Sequence, residues 1–191
     1  TLNFYPANKL ITDTTTPTAS TITDYYGDYI IPDGLDMGKG YIIKSVGGFD
    51  IATEGVDSTT VYPSQNDKDL STNGISNPQG NMYYGYPRNI SFSSFITLDV
   101  NDPYPPKNIN VLTSIIANKV EKTVETQIET QKQTAIAGGM SEEDAQSAAE
   151  AATLADTFVE DTGTAAETNI KFNLGIAVDK DITVDYLSAN V

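Results

Sequence analysis

The chain has 191 residues, of which 39% are apolar, and its 26 Asp and Glu against 11 Lys and Arg give a formal net charge of −15. A chain of this length can bury a core of its own, so its stability does not require disulfides or a metal ion. It contains neither Cys nor His, which excludes thiolate nucleophiles, Cys/His zinc sites and a Ser–His–Asp triad. A single arginine, Arg88, in so acidic a chain argues against nucleic-acid binding, which needs a positive surface.

The first stretch of the chain, residues 1–23, is rich in threonine and shows no sustained apolar period beyond Thr12. Such a segment cannot bury enough apolar surface by itself to offset the entropy that it loses on ordering. We therefore expect an extended N-terminal arm that becomes ordered against a neighbouring subunit.

Residues 24–110 carry the signals of short β-strands separated by turns. One run, Tyr41–Val46, leads into the Gly47-Gly48 turn, and Phe49–Thr53 follows it. A second run alternates between two faces, and one face consists of Ile90, Phe92, Ser94, Ile96, Leu98 and Val100. This stretch is predicted to form the body of an antiparallel β-sandwich or a jelly-roll-like fold.

Residues 111–163 contain no proline and are predicted to form two helices. Apolar residues of the first helix recur every four positions, at Leu112, Ile116, Val120, Val124 and Ile128. Gly138-Gly139 ends this helix, and Ser141 is the expected N-cap of the second. The second helix carries a stripe of small residues at Ala145, Ala148, Ala149, Ala152, Ala155 and Val159. We expect a two-helix insertion in the β body.

The clearest strand pattern lies in the last stretch, residues 164–191. Apolar residues occupy alternate positions from Ile170 to Val178, and the alternation resumes from Ile182 to Tyr186 after a polar turn. This pattern predicts an antiparallel hairpin that completes the body, with Phe172 and Leu174 in the core. The predicted fold is thus a single, mainly β domain with a helical insertion and an N-terminal arm.

Tyrosine is unusually frequent, and the chain contains 11 of them. Six lie in two clusters, at Tyr25, Tyr26 and Tyr29 and at Tyr83, Tyr84 and Tyr86. Tyrosine combines a large, rigid contact area with a hydroxyl group, and it is enriched at protein interfaces. We take these six residues as candidate contacts to other chains or to a surface glycan; in the alternative interpretation they line sheet edges and half-buried loops.

Asp99, Asn101 and Asp102 are the candidate metal ligands, because calcium prefers clustered carboxylate and amide oxygens. The run from Leu98 to Pro103 resembles the calcium-binding linker of cadherins, which has a similar D-x-N-D core ahead of prolines. The resemblance implies a calcium ion at these three residues. The alternative is a turn at the end of a strand, capped by Asp and Asn side chains. No other cofactor is expected.

Carboxylate pairs such as Asp24/Asp28 and Asp33/Asp36 could serve a glycosidase, but chance pairs are unavoidable among 26 acidic residues. The sequence therefore favours a noncatalytic structural subunit of a repeated assembly, with a virion protein (capsid, decoration or tail) as first choice. Its partners would be copies of itself and other assembly subunits, without nucleic acid or membrane insertion, and it would be located in a virion or outside the cell. The alternative is a secreted carbohydrate-binding or adhesin module, or a surface-fibre subunit.

Overall fold

The computed structural model describes residues 1–23, 29–45, 91–101, 109–180 and Ile182, together with the backbone pairing of four two-residue strands. The strands in chain order are β1 (Leu2–Pro6), β2 (Ala19–Thr21), β3 (Gly40–Ser45), β4 (Phe49–Asp50), β5 (Ile75–Ser76), β6 (Met82–Tyr83), β7 (Tyr86–Pro87) and β8 (Ser93–Thr97). The helices are α1 (Val111–Ala137), α2 (Glu142–Ala151) and α3 (Asp156–Leu174).

The centre of the described part is an antiparallel sheet of four strands in the order β2-β1-β3-β8. Apolar residues at alternate positions point to opposite faces of this sheet. One face is buried beneath the chain around Ile31 and Leu35, and it consists of Leu2, Phe4, Tyr41, Ile43, Ile96 and Leu98. The other face carries Ile42 and Phe95, which pack against the helices. Both faces of a small sheet are therefore covered.

α1 is the longest helix, and it joins the helical layer to the sheet. Its N-cap Asn110 forms a capping box with Thr113, in which each side chain bonds the other residue's backbone N–H. The Thr113 hydroxyl also donates to the carbonyl of Ser93, and the Ser93 N–H donates to Ser114 Oγ. The predicted apolar stripe is confirmed, because Ile116, Val120, Val124 and Ile128 are buried. No helix in the described ranges is both long and apolar enough to cross a bilayer.

The predicted sandwich or jelly roll is wrong: the described residues form one small four-stranded sheet, two separate pairs of two-residue strands and three helices. The strands at Tyr41–Val46 and near residues 90–100 exist, as β3 and β8, and they pair with each other. No second sheet faces this one in the described part of the chain, since the helices pack on one face and irregular chain near Leu35 on the other. Phe49–Asp50 pairs instead with Tyr86–Pro87.

The first strand of the predicted C-terminal hairpin is also wrong, because most of that segment is helical. Residues up to Leu174 belong to α3, which ends at Gly175 in the left-handed conformation with φ of 66°. On this helix Phe172 is 83% exposed and Leu174 is 57% exposed, so neither belongs to the core. Ile182 is buried against α1 and α3. The rest of the predicted second strand lies outside the described residues.

The second predicted helix is divided in two. Ser141 caps α2 as predicted, and its hydroxyl accepts the backbone N–H of Asp144. α2 ends at Ala151, however, and α3 begins at Asp156. The break is held by the loop after β1, where the Asn8 carbonyl accepts the Leu154 N–H at 2.9 Å and the Asn8 amide donates to Asp156 Oδ1 at 2.7 Å. α2 and α3 thus both pack against α1.

The segment predicted to be an arm contributes two strands to the protein's own sheet. β1 lies between β2 and β3, and Leu2 and Phe4 are buried. The expectation that this segment needs a neighbouring subunit in order to be ordered is therefore wrong for both strands. The apolar positions that matter, Leu2 and Phe4, precede the threonine-rich stretch and supply the buried surface that the stretch lacks.

Candidate interaction surface

Of the six candidate tyrosines, Tyr29 is the one whose side chain the structure describes. It is half-buried and packs against the apolar face of the sheet formed by Leu2, Phe4 and their neighbours. Burial raises the pKa of its hydroxyl to about 12. Tyr83 and Tyr86 pair through their backbones in the short strands β6 and β7. The side chains of these two, and the whole of Tyr25, Tyr26 and Tyr84, lie outside the described residues.

The calcium candidates Asp99 and Asn101 form a turn in which Asp99 is the acceptor. Its Oδ1 atom accepts the backbone N–H of Asn101 at 2.7 Å and the Asn101 side-chain amide at 2.9 Å. Both residues are exposed, and Asp102 lies outside the described residues. This geometry is the capped turn that the sequence offered as the alternative to a calcium site. Asp36, a member of one candidate carboxylate pair, forms an exposed ion pair with Lys39 at 2.9 Å.

A groove of about 680 Å³ lies between α1 and α2. Its floor is apolar, with Leu10, Ile128 and Ala149, and its rim is polar. The rim groups bond to one another or to near neighbours, since Gln133 donates to Glu129 at 2.7 Å and Gln146 donates to Glu150 at 2.7 Å. Two of the polar side chains that line the groove, Gln133 and Gln146, are therefore bonded within their own helices rather than directed at a ligand.

A more distinctive surface lies where the start of α1 meets the end of α3. Five large apolar side chains are exposed near these helix ends, and we call them together the apolar end: Val111 (61% exposed), Ile115 (47%), Phe172 (83%), Leu174 (57%) and Val178 (77%). They do not all share one face, since Phe172 and Leu174 are two positions apart on α3 and project about 160° from each other. Isolated exposed apolar residues are normal on a protein surface, whereas a group of them at one place marks an interaction site.

The helix packing brings these residues to the same level. α1 and α3 are antiparallel neighbours, and Ile116 and Leu112 of α1 share one cluster with Ala166 and Ile170 of α3. Val111 and Ile115 lie to one side of the buried stripe of α1, because they are offset from Leu112 and Ile116 by one residue, or about 100° of rotation. Phe172 is 83% exposed, so it also projects into solvent.

The described residues at the start of α1 and the end of α3 carry no net charge, although the chain as a whole is strongly acidic. Residues 111–118 contain no charged side chain. Residues 162–180 contain Glu167 and Asp179 against Lys171 and Lys180, and the Glu167 and Lys171 side chains form an ion pair at 2.7 Å. The intervening residues 119–161, by contrast, hold 10 acidic and 3 basic residues. The apolar end is thus neutral, while the remainder of the helical layer is acidic.

Sequence reasoning missed the apolar end because it placed Phe172 and Leu174 in a core and attended to the buried stripe of α1. The signal was nevertheless present, since Val111 and Ile115 are apolar residues just outside that stripe. Comparison of the chain with protein-family models, with curated proteins and with solved structures gave no match.

Proposed function

We propose that the protein is a noncatalytic structural subunit of a repeated assembly, with a virion component (capsid, decoration or tail protein) as first choice. The observation that supports this proposal best is the apolar end, where Phe172 is 83% exposed. Exposing so many large apolar side chains is unfavourable in water, and a surface of this kind is typical of subunits that bury it against a neighbour. The N-terminal segment lends no support to the proposal, because β1 and β2 belong to the protein's own sheet.

The charge of the chain also supports this proposal. With a net charge of −15 and one arginine, the subunit would be repelled by a packaged nucleic acid and would face outward or sideways from it. A high net charge keeps isolated copies soluble, so that association is confined to surfaces from which charge is absent. This distribution suits a subunit that is produced in solution and then assembles.

Light scattering after size-exclusion chromatography, followed by electron microscopy of the same fractions, tests the proposal. We expect the full chain to form oligomers of a defined mass, and the fraction of chains in these oligomers should rise with protein concentration. We also expect the chain to be incorporated into regular particles or filaments in its native host. A chain that remains monomeric at millimolar concentration and is found in no particle would contradict it.

A further inference from the structure

We infer that the groove between α1 and α2 receives a basic amphipathic helix from a different protein. This inference goes beyond the proposed function, because it concerns a surface other than the apolar end and does not depend on whether the chain assembles. Three observations carry it: the shape of the groove, the chemistry of its lining and the distribution of charge around it.

The shape of the groove suits a helix. Its lining on α1 includes Lys122, Thr126, Glu129 and Gln133, which recur at intervals of three or four residues and therefore follow one side of that helix. Gln133 lies eleven residues after Lys122, so this wall is about 16 Å long, or roughly three helical turns. α2 forms the other wall. An amphipathic helix laid into a groove between packed helices is a recurring mode of peptide recognition.

The lining offers apolar contact but few free polar groups. The floor consists of Leu10, Ile128 and Ala149. The hydroxyls of Thr126 and Thr130 donate to carbonyls one turn earlier in α1, and the two glutamines of the lining donate to glutamates of their own helices. A small polar ligand such as a sugar would find these donors already engaged. The apolar side of an amphipathic helix, by contrast, needs only the floor.

Acidic side chains surround the groove. Its own lining has two carboxylates, Glu125 and Glu129, against one ammonium group, Lys122, which lies at one end. Lys132 is 3.9 Å from Glu129, whereas Glu125 has no ion-pair partner within the described ranges. α2 adds only acidic residues, at Glu142, Glu143, Asp144 and Glu150. A helix with Lys or Arg beside its apolar stripe is therefore favoured here by charge as well as by burial.

The charge of the chain argues against the chain itself as the source of this helix. No two of its 11 basic residues are adjacent, and 26 acidic residues outnumber them. The densest group, Lys107, Lys119 and Lys122, lies in and just before α1, whose apolar stripe is already buried. A second copy would bring its acidic residues to an acidic groove, and the two would repel each other. The occupant is accordingly a segment of another protein, basic on one side and apolar on the other.

Fluorescence anisotropy of labelled peptides with the full chain tests the inference. The probe is an amphipathic peptide of about 16 residues, long enough to form a helix, with leucine along one side and lysine along the other. A second peptide has glutamate in place of every lysine. A third has the composition of the first in an order that contains no helical stripe. We expect the first peptide to bind with a dissociation constant of about 10⁻⁵ M and the other two to bind at least tenfold more weakly.

Matched variants locate the binding site. Thr130→Trp fills the groove with a bulky side chain, and Thr168→Trp is its control, because both threonines are exposed and each donates its hydroxyl to the carbonyl four residues earlier. Glu125→Lys reverses a charge of the lining, and Glu160→Lys reverses one at an exposed position of α3 outside the lining. All four positions are exposed, so the far-ultraviolet circular dichroism should match that of wild type. We expect Thr130→Trp to weaken binding of the basic peptide at least tenfold and Glu125→Lys at least threefold, with changes below twofold in the controls.

Salt separates the two contributions to binding. Added NaCl screens the attraction between the peptide and the acidic residues but leaves apolar burial in place. The affinity for the basic peptide should therefore fall at least threefold between about 50 mM and about 500 mM NaCl, and the remaining binding should still be sensitive to Thr130→Trp. An affinity that rises with salt would contradict the role assigned to charge.

The following results would overturn the inference. If the reordered peptide binds as tightly as the first, charge alone draws peptides to the protein and the groove has no part in it. If Thr130→Trp binds the basic peptide like wild type, the peptide occupies another surface. Equal binding of the acidic peptide, or no binding of the basic one up to millimolar concentration, would exclude a basic partner. None of these results bears on the proposed function, which is decided by the mass of the oligomers and by the presence of the chain in particles.

Discussion

At the scale of single residues, Phe95 fixes the distance between the sheet and α3. Its ring lies against two glycines, Gly40 of β3 and Gly163 of α3. A Cβ atom at Gly163 would meet the ring at Cε1 and Cδ1, the latter at 2.6 Å, and one at Gly40 would meet Cε2 at 2.9 Å. Both glycines are therefore required by close approach, although glycine weakens a helix interior.

Gly163→Ala should destabilise the fold despite its better helix propensity. Overpacking of this kind costs about 1–3 kcal/mol, and the gain in propensity returns about 1 kcal/mol. Urea denaturation should show a net loss of stability, and Phe95→Leu in the same chain should relieve part of it. Ala165 is exposed on the same helix, so Ala165→Gly measures the contribution of helix propensity to stability without a change in packing. A Gly163→Ala variant at least as stable as wild type would show that the ring is not confined.

Tyr29 makes stability depend on pH in the alkaline range. Its hydroxyl has a pKa of about 12 in the folded chain, against 10.0 ordinarily, because burial disfavours the phenolate. The folded state thus holds its proton more tightly, so the stability due to this group is complete below pH 10 and is lost as the pH rises towards 12. Tyr29→Phe should show a smaller loss of stability than wild type between pH 10 and 12, measured by urea denaturation. Equal losses would contradict the assignment.

At the scale of elements, the start of α1 is fixed to β8 by the hydroxyl of Thr113. This buried group donates to the carbonyls of Ser93 and Asn110 and accepts the N–H of Asn110. Thr113→Val keeps the shape but removes the acceptor of the Asn110 N–H and one of the donors to the Ser93 carbonyl, at a cost of about 1–3 kcal/mol. The control is Thr130→Val, whose exposed hydroxyl bonds only the Thr126 carbonyl within α1, and it should change thermal stability little. Similar losses in both variants would rule out a special role for the Thr113 network.

The elements also show what the sequence could predict. The stripe of α1 and the Ser141 cap were predictable, because each depends on residues that are close along the chain. The region from Ile170 to Val178 was not, since its alternation of apolar residues is typical of a strand. As part of α3, that same alternation turns successive apolar residues to different sides of the helix, and Phe172 is directed into solvent. The failed strand prediction and the apolar end therefore have one cause.

The candidate site could not be predicted for a related reason. The tyrosine clusters stand out by composition alone, whereas the apolar end requires knowledge that α1 and α3 are neighbours. Ile115 and Phe172 are 57 positions apart in sequence, and only the packing of α1 against α3 brings their segments together. Long-range juxtaposition of this kind is not contained in a local pattern.

At the scale of the whole molecule, the N-terminal strand should be as stable as the sheet that contains it. β1 is bonded on both sides, to β2 and to β3. In a dilute monomer the amide protons that β1 donates to its neighbours should exchange at rates like those of β3, whereas Thr14 and Thr16 in the exposed loop should exchange within seconds. Hydrogen exchange with mass spectrometry on the monomer measures this. Rapid exchange throughout residues 1–23 would restore the interpretation as an arm.

The pairing of β3 with β8 has a consequence for how the chain is organised. Ser45 and Phe92 are directly opposed: the Ser45 N–H donates to the Phe92 carbonyl at 2.8 Å, and Ser45 Oγ accepts the Phe92 N–H at 2.8 Å. The chain therefore leaves the sheet and returns to it at the same point, as it does at the base of a two-residue hairpin. In terms of connectivity, residues 46–91 join two adjacent positions of one sheet. A shortened protein in which Asn-Gly replaces residues 46–91 should retain the far-ultraviolet spectrum of the helices and melt cooperatively. If it does, residues 46–91 can vary, or be exchanged for an unrelated sequence, without altering the fold that carries them.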